Sequence, residues 1–356
     1  MSHRRASMWA RAVAASAVTG FTVCAFSASA LHAADFYKGK DLKLVSGSGV
    51  GGGYDGYSRL LARHIGDHIP GHPNLVVQNM PGASGIKAAN WLYNVAPKDG
   101  TVFGGTYNNL VIEPLLGDKQ TQFDPRKFQW IGAMGKQYLT CSVWHTSPVH
   151  TVEDAMKQEV KVSTTGATGN SSRFPEMLNK LLGTKFKIIS GYTTSGMRLA
   201  VERGEVDGIC GFSLDTFEAS NPDWIRDKKL RFFLVEEPLK ELPGVPRLAD
   251  YVKNPLDLAA IKVLEVRDVV GRPHMLPPGV PKDRVKELRD AFMATMKDPK
   301  FLAEAEKLHI GIDPLSGEQV EKEINAAYAQ PKNVIDRAIE LWPPAISEKT
   351  KGKKKS

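Results

Sequence analysis

The chain has 356 residues, is 42% hydrophobic and 24% charged, and carries a formal net charge of +8. Arg4, Arg5 and Arg11 near the start and five lysines in the tail Lys349–Ser356 account for that excess, so the body between them is close to neutral. A nucleic-acid protein needs a basic face within its fold, and a neutral body without an arginine-rich or aromatic-rich groove speaks against that partner.

Residues 1–34 read as a secretory signal: a basic start, an apolar small-residue stretch from Ala12 to Ala30, and small residues for cleavage at Leu31–Ala34. The stretch is about as long as a membrane span, which leaves an uncleaved anchor as the alternative. Its richness in Ala, Ser and Thr favours removal, a mature chain starting near Asp35, and a periplasmic location. Cys24 lacks the small residues expected before a lipid-modified cysteine.

The next unit is a strand at Leu42–Val45, a glycine loop, and a helix whose Tyr57, Leu60, Leu61 and Ile65 form one apolar stripe with Asp55 as N-cap. Gly47, Gly49 and Gly52 spell the GxGxxG of dinucleotide sites. That reading also needs an acidic residue ending the second strand, and Leu75–Asn79 ends in amides, so the loop is expected to hold a smaller anion and no cofactor. His64 and His68, four apart, could share a metal; with no third ligand in view, a solvated helix face is the expectation and metal none.

Strands at Val102–Gly105, Val160–Ser163, Lys187–Ser190, Val206–Cys210 and Leu230–Val235 then alternate with helices at Ala83–Asn94, Arg173–Leu182 and Met197–Arg203. This is an α/β pattern with mostly parallel sheets, and the mature length suggests two domains. A second strand, glycine loop and helix appears at Val160–Leu178, where Ser171 or Ser172 can cap the helix and Glu176 can complete a capping box. Two anion cradles, one per half, would face each other across a cleft. Cys141 and Cys210 read as buried thiols in neighbouring strands, with a disulfide as the alternative. There is no GxSxG elbow, metal triad or motif of paired carboxylates, so an exported oxidoreductase or hydrolase is the weaker reading and the chain is expected not to be an enzyme.

Five motifs in order, Gly51–Asp55, Val76–Gly85, Ala96–Thr101, Gly166–Ser172 and Gly204–Gly208, resemble the Bug family, the TctC-like extracytoplasmic receptors of tripartite tricarboxylate transporters. The resemblance runs from about residue 38 to 340. It implies a type II periplasmic-binding-protein fold in which two lobes, 35–138 plus 268–356 and 139–267, are joined by two crossover strands. It further implies a monomer that closes on a small organic carboxylate and delivers it to the membrane permease subunits of such a transporter; some relatives instead present ligand to a signalling partner. Carried onto this chain, the pincer loops are Gly49, Val50, Gly51, Gly52, Gly53, Tyr54 and Asp55, and Gly166, Ala167, Thr168, Asn170, Ser171, Ser172 and Arg173. Ala83, Ser84, Thr106, Tyr107 and Asn108 should complete the first wall, with Tyr192 and Ser213 on the second. Tyr54 stands where the family often has a small hydroxyl residue, and Arg173 where it often has histidine. Tyr54 and Tyr107 could stack on an aromatic acid or close as a lid, and Arg173 could clamp a second carboxylate, pair with Glu176, or stand in solvent.

Overall fold

A computed structural model describes residues 36–344 apart from Gly52, Thr165, Ala167 and Thr168. The predicted signal at 1–34, the lysine tail, and the site residues Gly52, Ala167 and Thr168 lie outside the described residues.

Two sheets organise the chain. The strands are β1 (Asp41–Ser46), β2 (Asn74–Asn79), β3 (Val102–Gly105), β4 (Gln129–Ala133), β5 (Leu139–Trp144), β6 (Val160–Thr164), β7 (Phe186–Ser190), β8 (Gly208–Ser213), β9 (Leu230–Val235), β10 (Pro273–Leu276) and β11 (Leu315–Ser316). The first sheet has the order β11-β4-β10-β3-β1-β2 and the second β7-β6-β8-β5-β9. Helices cover their faces: α1 (Gly53–His64), α2 (Ile86–Asn94), α3 (Val152–Lys157), α4 (Asn170–Leu182), α5 (Thr194–Glu202), α6 (Leu214–Ser220), α7 (Pro222–Arg226), α8 (Leu248–Tyr251), α9 (Pro255–Val270), α10 (Lys282–Thr295), α11 (Pro299–Lys307), α12 (Gly317–Tyr328) and α13 (Lys332–Leu341).

The expectation of mostly parallel sheets is corrected to mixed ones. β1 runs parallel to β2 and β3, and β6 to β7 and β8. β5 and β10 are antiparallel to both of their neighbours. β5 enters the second sheet through residues 134–138, and β10 returns to the first after the stretch 236–272 that follows β9, so neither arrives by the local strand–helix–strand crossover that makes neighbouring strands parallel. The cut expected between 267 and 268 falls inside α9, which packs against α12 and α13.

Strand period explains the core. Leu42 and Leu44 point into one cluster with Tyr57, Leu60, Leu61 and Phe292, whereas Val45 enters the other with Ile86, Ala89, Leu92 and Trp130. Leu42, Leu44, Leu60 and Leu61 are fully buried, and burying each side chain contributes about 2 kcal/mol of transfer free energy. The stripe read on α1 is thus its buried face. Its start is not as expected: the helix begins at Gly53, and Asp55 sits inside the first turn, where its carboxylate accepts from the Gly51 amide at 2.9 Å.

Four further expectations change. α4 starts at Asn170 with Gly169, which has no side chain, as N-cap; Ser171 and Ser172 fall inside the first turn, where the Ser171 hydroxyl meets Thr164 Oγ1 at 2.9 Å, and Glu176 completes no capping box. The helix expected from Ala83 starts at Ile86, after a turn in which Ser84 takes a left-handed φ of 49°. His64 and His68 do not stand in solvent: their Nε2 atoms meet Glu304 at 2.6 Å and Asp298 at 2.9 Å, which ties this end of α1 to α11. Cys141 and Cys210, partners in register on β5 and β8, form a disulfide rather than free thiols.

Candidate functional site

A cavity of about 220 Å³ lies between the strand ends of the two sheets. Of the predicted residues, Tyr54, Ser84, Tyr107, Asn108, Asn170, Ser171, Arg173 and Ser213 line it. Gly49, Val50, Gly51, Gly53, Asp55, Ala83, Thr106, Gly166, Ser172 and Tyr192 do not. A Cβ added at Gly49, Gly51 or Gly53 would meet nothing within 4 Å, and Val50 is 79% exposed, so the first loop stands open. Ala83 lines a smaller neighbouring cavity.

The first loop is shaped from behind. Asp55 is buried, and its carboxylate takes the Gly51 amide and Arg59 Nε on one oxygen, both at 2.9 Å, and Asn79 Nδ2 on the other at 2.7 Å. Asn79 Nδ2 also donates to the Ser48 carbonyl, and Arg59 returns to Asn79 Oδ1. Burial alone would raise the Asp55 pKa, but the bonds from Arg59, Asn79 and Gly51 outweigh it and hold the carboxyl below the usual range. Gly51 has φ +77°, a conformation that favours glycine.

Tyr54 closes one side of the cavity. Its hydroxyl donates to Gln137 Oε1 at 2.7 Å and accepts from the Asn108 amide at 3.3 Å, and its ring lies 4.4 Å from that of Tyr107. Burial pushes its pKa up to about 12, so it stays a neutral donor. The Arg272 guanidinium sits 4.6 Å from the Tyr54 ring and 4.5 Å from that of Tyr57, and bonds Asp215 of α6 at 2.7 Å. Burial opposes that charge, but Asp215 and the two tyrosines overcome it and keep Arg272 protonated. Tyr54 and Tyr107 therefore pack on each other rather than standing apart to receive an aromatic ring.

On the opposite wall the first turn of α4 contributes Gly169, Asn170 and Ser171. Gly211 makes this possible: at φ +92°, a Cβ there would collide with the Asn170 backbone and approach Ser171 Cα at 2.9 Å. Ser213 Oγ pairs with Thr216 Oγ1 at 2.9 Å. Arg173 is only 4% exposed, and its Nη1 bonds Glu113 Oε1 at 2.9 Å. Its partner is thus neither solvent nor Glu176; the chain reaches from the second sheet's helix to a segment that follows β3 of the first.

Gly169, within the expected loop 166–172, also lines the cavity, and so do Asn109, Glu113, Gln137, Gly211, Phe212 and Thr216, which the sequence does not point to. Gln137 belongs to the crossover, and Glu113 comes from a stretch without motif or periodicity. Behind them Arg267, fully buried, bonds Asp268 at 2.9 Å and Glu236 at 3.2 Å and stacks on Trp342 at 3.7 Å. Asp268 Oδ1 accepts from Asn108 at 3.4 Å, which joins this buried ionic group to the cavity floor. Burial drives the Asp268 carboxyl well above its ordinary pKa, with Arg267 opposing.

A larger cavity of about 550 Å³ lies along the 134–138 crossover and includes Lys136, Asp215, Glu218, Glu241 and Asp313. Among the described residues only Gln137 and Ser213 touch both cavities, and no described residue of either glycine loop lines the larger one. The smaller cavity is the better candidate because it lies at strand ends and at a helix N-terminus, where backbone amides are unsatisfied. Among the described residues no cluster of three or more His, Cys, Asp or Glu could hold a metal ion, and no helix is long and apolar enough to cross a membrane.

The sequence matches no family model and no curated protein. Solved structures share its fold. A TctC solute binding protein from Polaromonas is 20% identical with a TM-score of 0.64, covering 85% of this chain and 99% of that one. An R. palustris protein with adipate is 17% identical with a TM-score of 0.62, over 84% and 97% of the two chains. MatC from Rhodopseudomonas palustris with bound malate is 16% identical with a TM-score of 0.59, over 83% and 99%. The chain has the two-lobed fold of periplasmic solute-binding proteins, which agrees with the resemblance read from its motifs.

Proposed function

We propose that the chain is an exported, non-catalytic, monomeric solute receptor of the Bug type, which captures a small organic carboxylate between its lobes and delivers it to a tripartite tricarboxylate transporter permease. The lobes in this reading are 35–138 plus 268–356 and 139–267, hinged at the two crossovers. One observation carries the proposal: the first turn of α4 lines the interlobe cavity, and its free N–H groups, at the positive end of a 13-residue helix, favour an anion. The tyrosine hydroxyl and the amides of Asn108, Asn109 and Gln137 add neutral polarity suited to fixing a small ligand. Structural neighbours solved with adipate and with malate support the carboxylate class.

The cradles are expected to act through backbone amides, with the open first loop closing over the ligand. Gly53→Val tests this cleanly, because a side chain there meets nothing in the structure and should leave the fold intact. Titration calorimetry with a carboxylate found in a thermal-shift screen should show at least about a ten-fold loss of affinity. Unchanged binding by a folded variant would reduce the first loop to a turn. A screen in which no carboxylate stabilises the protein would sink the carboxylate reading itself, since ligand at 100 times its Kd adds about 2.7 kcal/mol.

A further inference from the structure

Beside the main cavity lies a side pocket of about 120 Å³ that shares Ser84, Asn109, Glu113 and Arg173 with it and adds Asp118. Glu113 is 3% exposed and Asp118 6%. Each carboxylate has one oxygen engaged: Glu113 Oε1 takes Arg173 and Asn109 Nδ2, and Asp118 Oδ1 takes the Gln120 amide at 2.8 Å. The other oxygens, Glu113 Oε2 and Asp118 Oδ2, are buried and have no hydrogen-bond partner among the described residues. A buried carboxylate oxygen left without a donor is costly, and two in one pocket, against the single cation Arg173, leave both an excess negative charge and unused acceptors.

Resting on the carboxylate reading of the main cavity, we infer that this side pocket receives an ammonium group, so that the ligand is an amino-carboxylic zwitterion rather than a dicarboxylate. The carboxylate end sits at the first turn of α4. The ammonium end, with three donors and no acceptor, supplies what Glu113 Oε2 and Asp118 Oδ2 lack. A second carboxylate in the same place would face two carboxylates, and the one arginine able to answer it is already bonded to Glu113. Within this arrangement Glu113 serves both ends: it fixes Arg173 with one oxygen and reads the ammonium with the other.

The test uses the full mature chain and two matched sets of probes: γ-aminobutyrate, butyrate and succinate; ε-aminocaproate, caproate and adipate. In at least one set the amino member should bind about ten-fold or more tighter than both of its counterparts, the scale of one charge-assisted hydrogen bond. Asp118→Asn keeps the bond to Gln120 and removes the charge; it should erase that advantage while leaving the monocarboxylate's affinity unchanged. Glu113→Gln should also lower the ratio of amino-member to monocarboxylate affinity, whatever it does to the affinities themselves, and the comparison within wild-type protein stands even if that variant fails to fold. A dicarboxylate that binds as well as or better than the amino member in both sets overturns the inference while leaving the carboxylate reading intact. An amino-member preference that survives Asp118→Asn and Glu113→Gln overturns the placement in this pocket. Binding by none of the six probes overturns the inference for ligands of this size and leaves the carboxylate reading to the broader thermal-shift screen.

Discussion

The two glycine loops look alike in sequence and are held in opposite ways. The first is braced within its own half of the molecule by charge: Asp55, Arg59 and Asn79 bind one another and hold the Gly51 amide and the Ser48 carbonyl. The second is braced locally by neutral hydroxyls, Thr164 with Ser171, while the helix behind it reaches across the cavity through Arg173 to Glu113. A self-contained loop can stand open without loosening the rest. The helix behind the second loop meets the other lobe through a buried ion pair that must break if the loop moves, whereas the helix behind the first meets it more weakly, through the neutral Tyr57 hydroxyl 3.4 Å from Asp215, so the second cradle reports more strongly on the relation between the lobes.

The largest break in this contrast should come from Arg173→Ala. Removing one member of a buried ion pair strands the other charge, which typically costs 3–5 kcal/mol; the adjoining cavity can admit water to Glu113, so about 3 kcal/mol is expected. Denaturant unfolding measures it. A loss below about 1 kcal/mol would mean that the pair is a surface contact in effect, and the second cradle would be as self-contained as the first.

The contrast also marks what a sequence discloses. The glycine runs, the α1 stripe and the strand periods are local patterns, and they carry the two-lobed α/β reading and the two cradles, whereas Tyr54, Tyr107 and Arg173 follow from the resemblance to the Bug family. The antiparallel β5 and β10 carry no local sign of direction, since their orientation follows from crossing between lobes. Glu113 and Gln137 were illegible for a related reason: each matters through a contact distant in sequence, Glu113 with Arg173 and Gln137 with Tyr54. Asp55 was placed as a cap because acidic residues favour helix starts, but Asn79 on the neighbouring strand and Arg59 one turn on engage it more fully than a free helix end would.

Asp55→Asn should have the next largest effect, about 2 kcal/mol, because it keeps the shape and removes the charge from hydrogen bonds that charged groups strengthen. Its pH dependence separates it from the second loop. The folded carboxyl is held below its unfolded value, so its contribution is complete above the usual aspartate pKa of about 4 and is lost as pH falls through the lower folded value. Wild type and variant should therefore differ at pH 7 and converge in acid. A difference that persists undiminished at the lowest pH where both remain folded would show that Asp55 acts through shape alone.

Thr164→Val should be the smallest of the three and the most informative about the neutral cradle. The threonine hydroxyl stands 2.9 Å from Ser171 Oγ, 3.2 Å from the Gly166 carbonyl and 3.3 Å from the Gly166 amide. It has one proton to give, so if it donates to the carbonyl then Ser171 must donate to it. Valine matches the shape and removes the whole set, but no charge is stranded and the Ser171 hydroxyl can turn toward the cavity it lines. The net loss should be about 1 kcal/mol by denaturant unfolding, the usual worth of a neutral hydrogen bond. Since no proton is taken up or released, that loss should be the same at pH 5 and pH 8, in contrast to Asp55→Asn in acid. A Thr164→Val loss as large as that of Arg173→Ala would mean that the hydroxyl pair, and not the ion pair to Glu113, fixes the second cradle, and the distinction between a locally held loop and one tied across the cavity would fail.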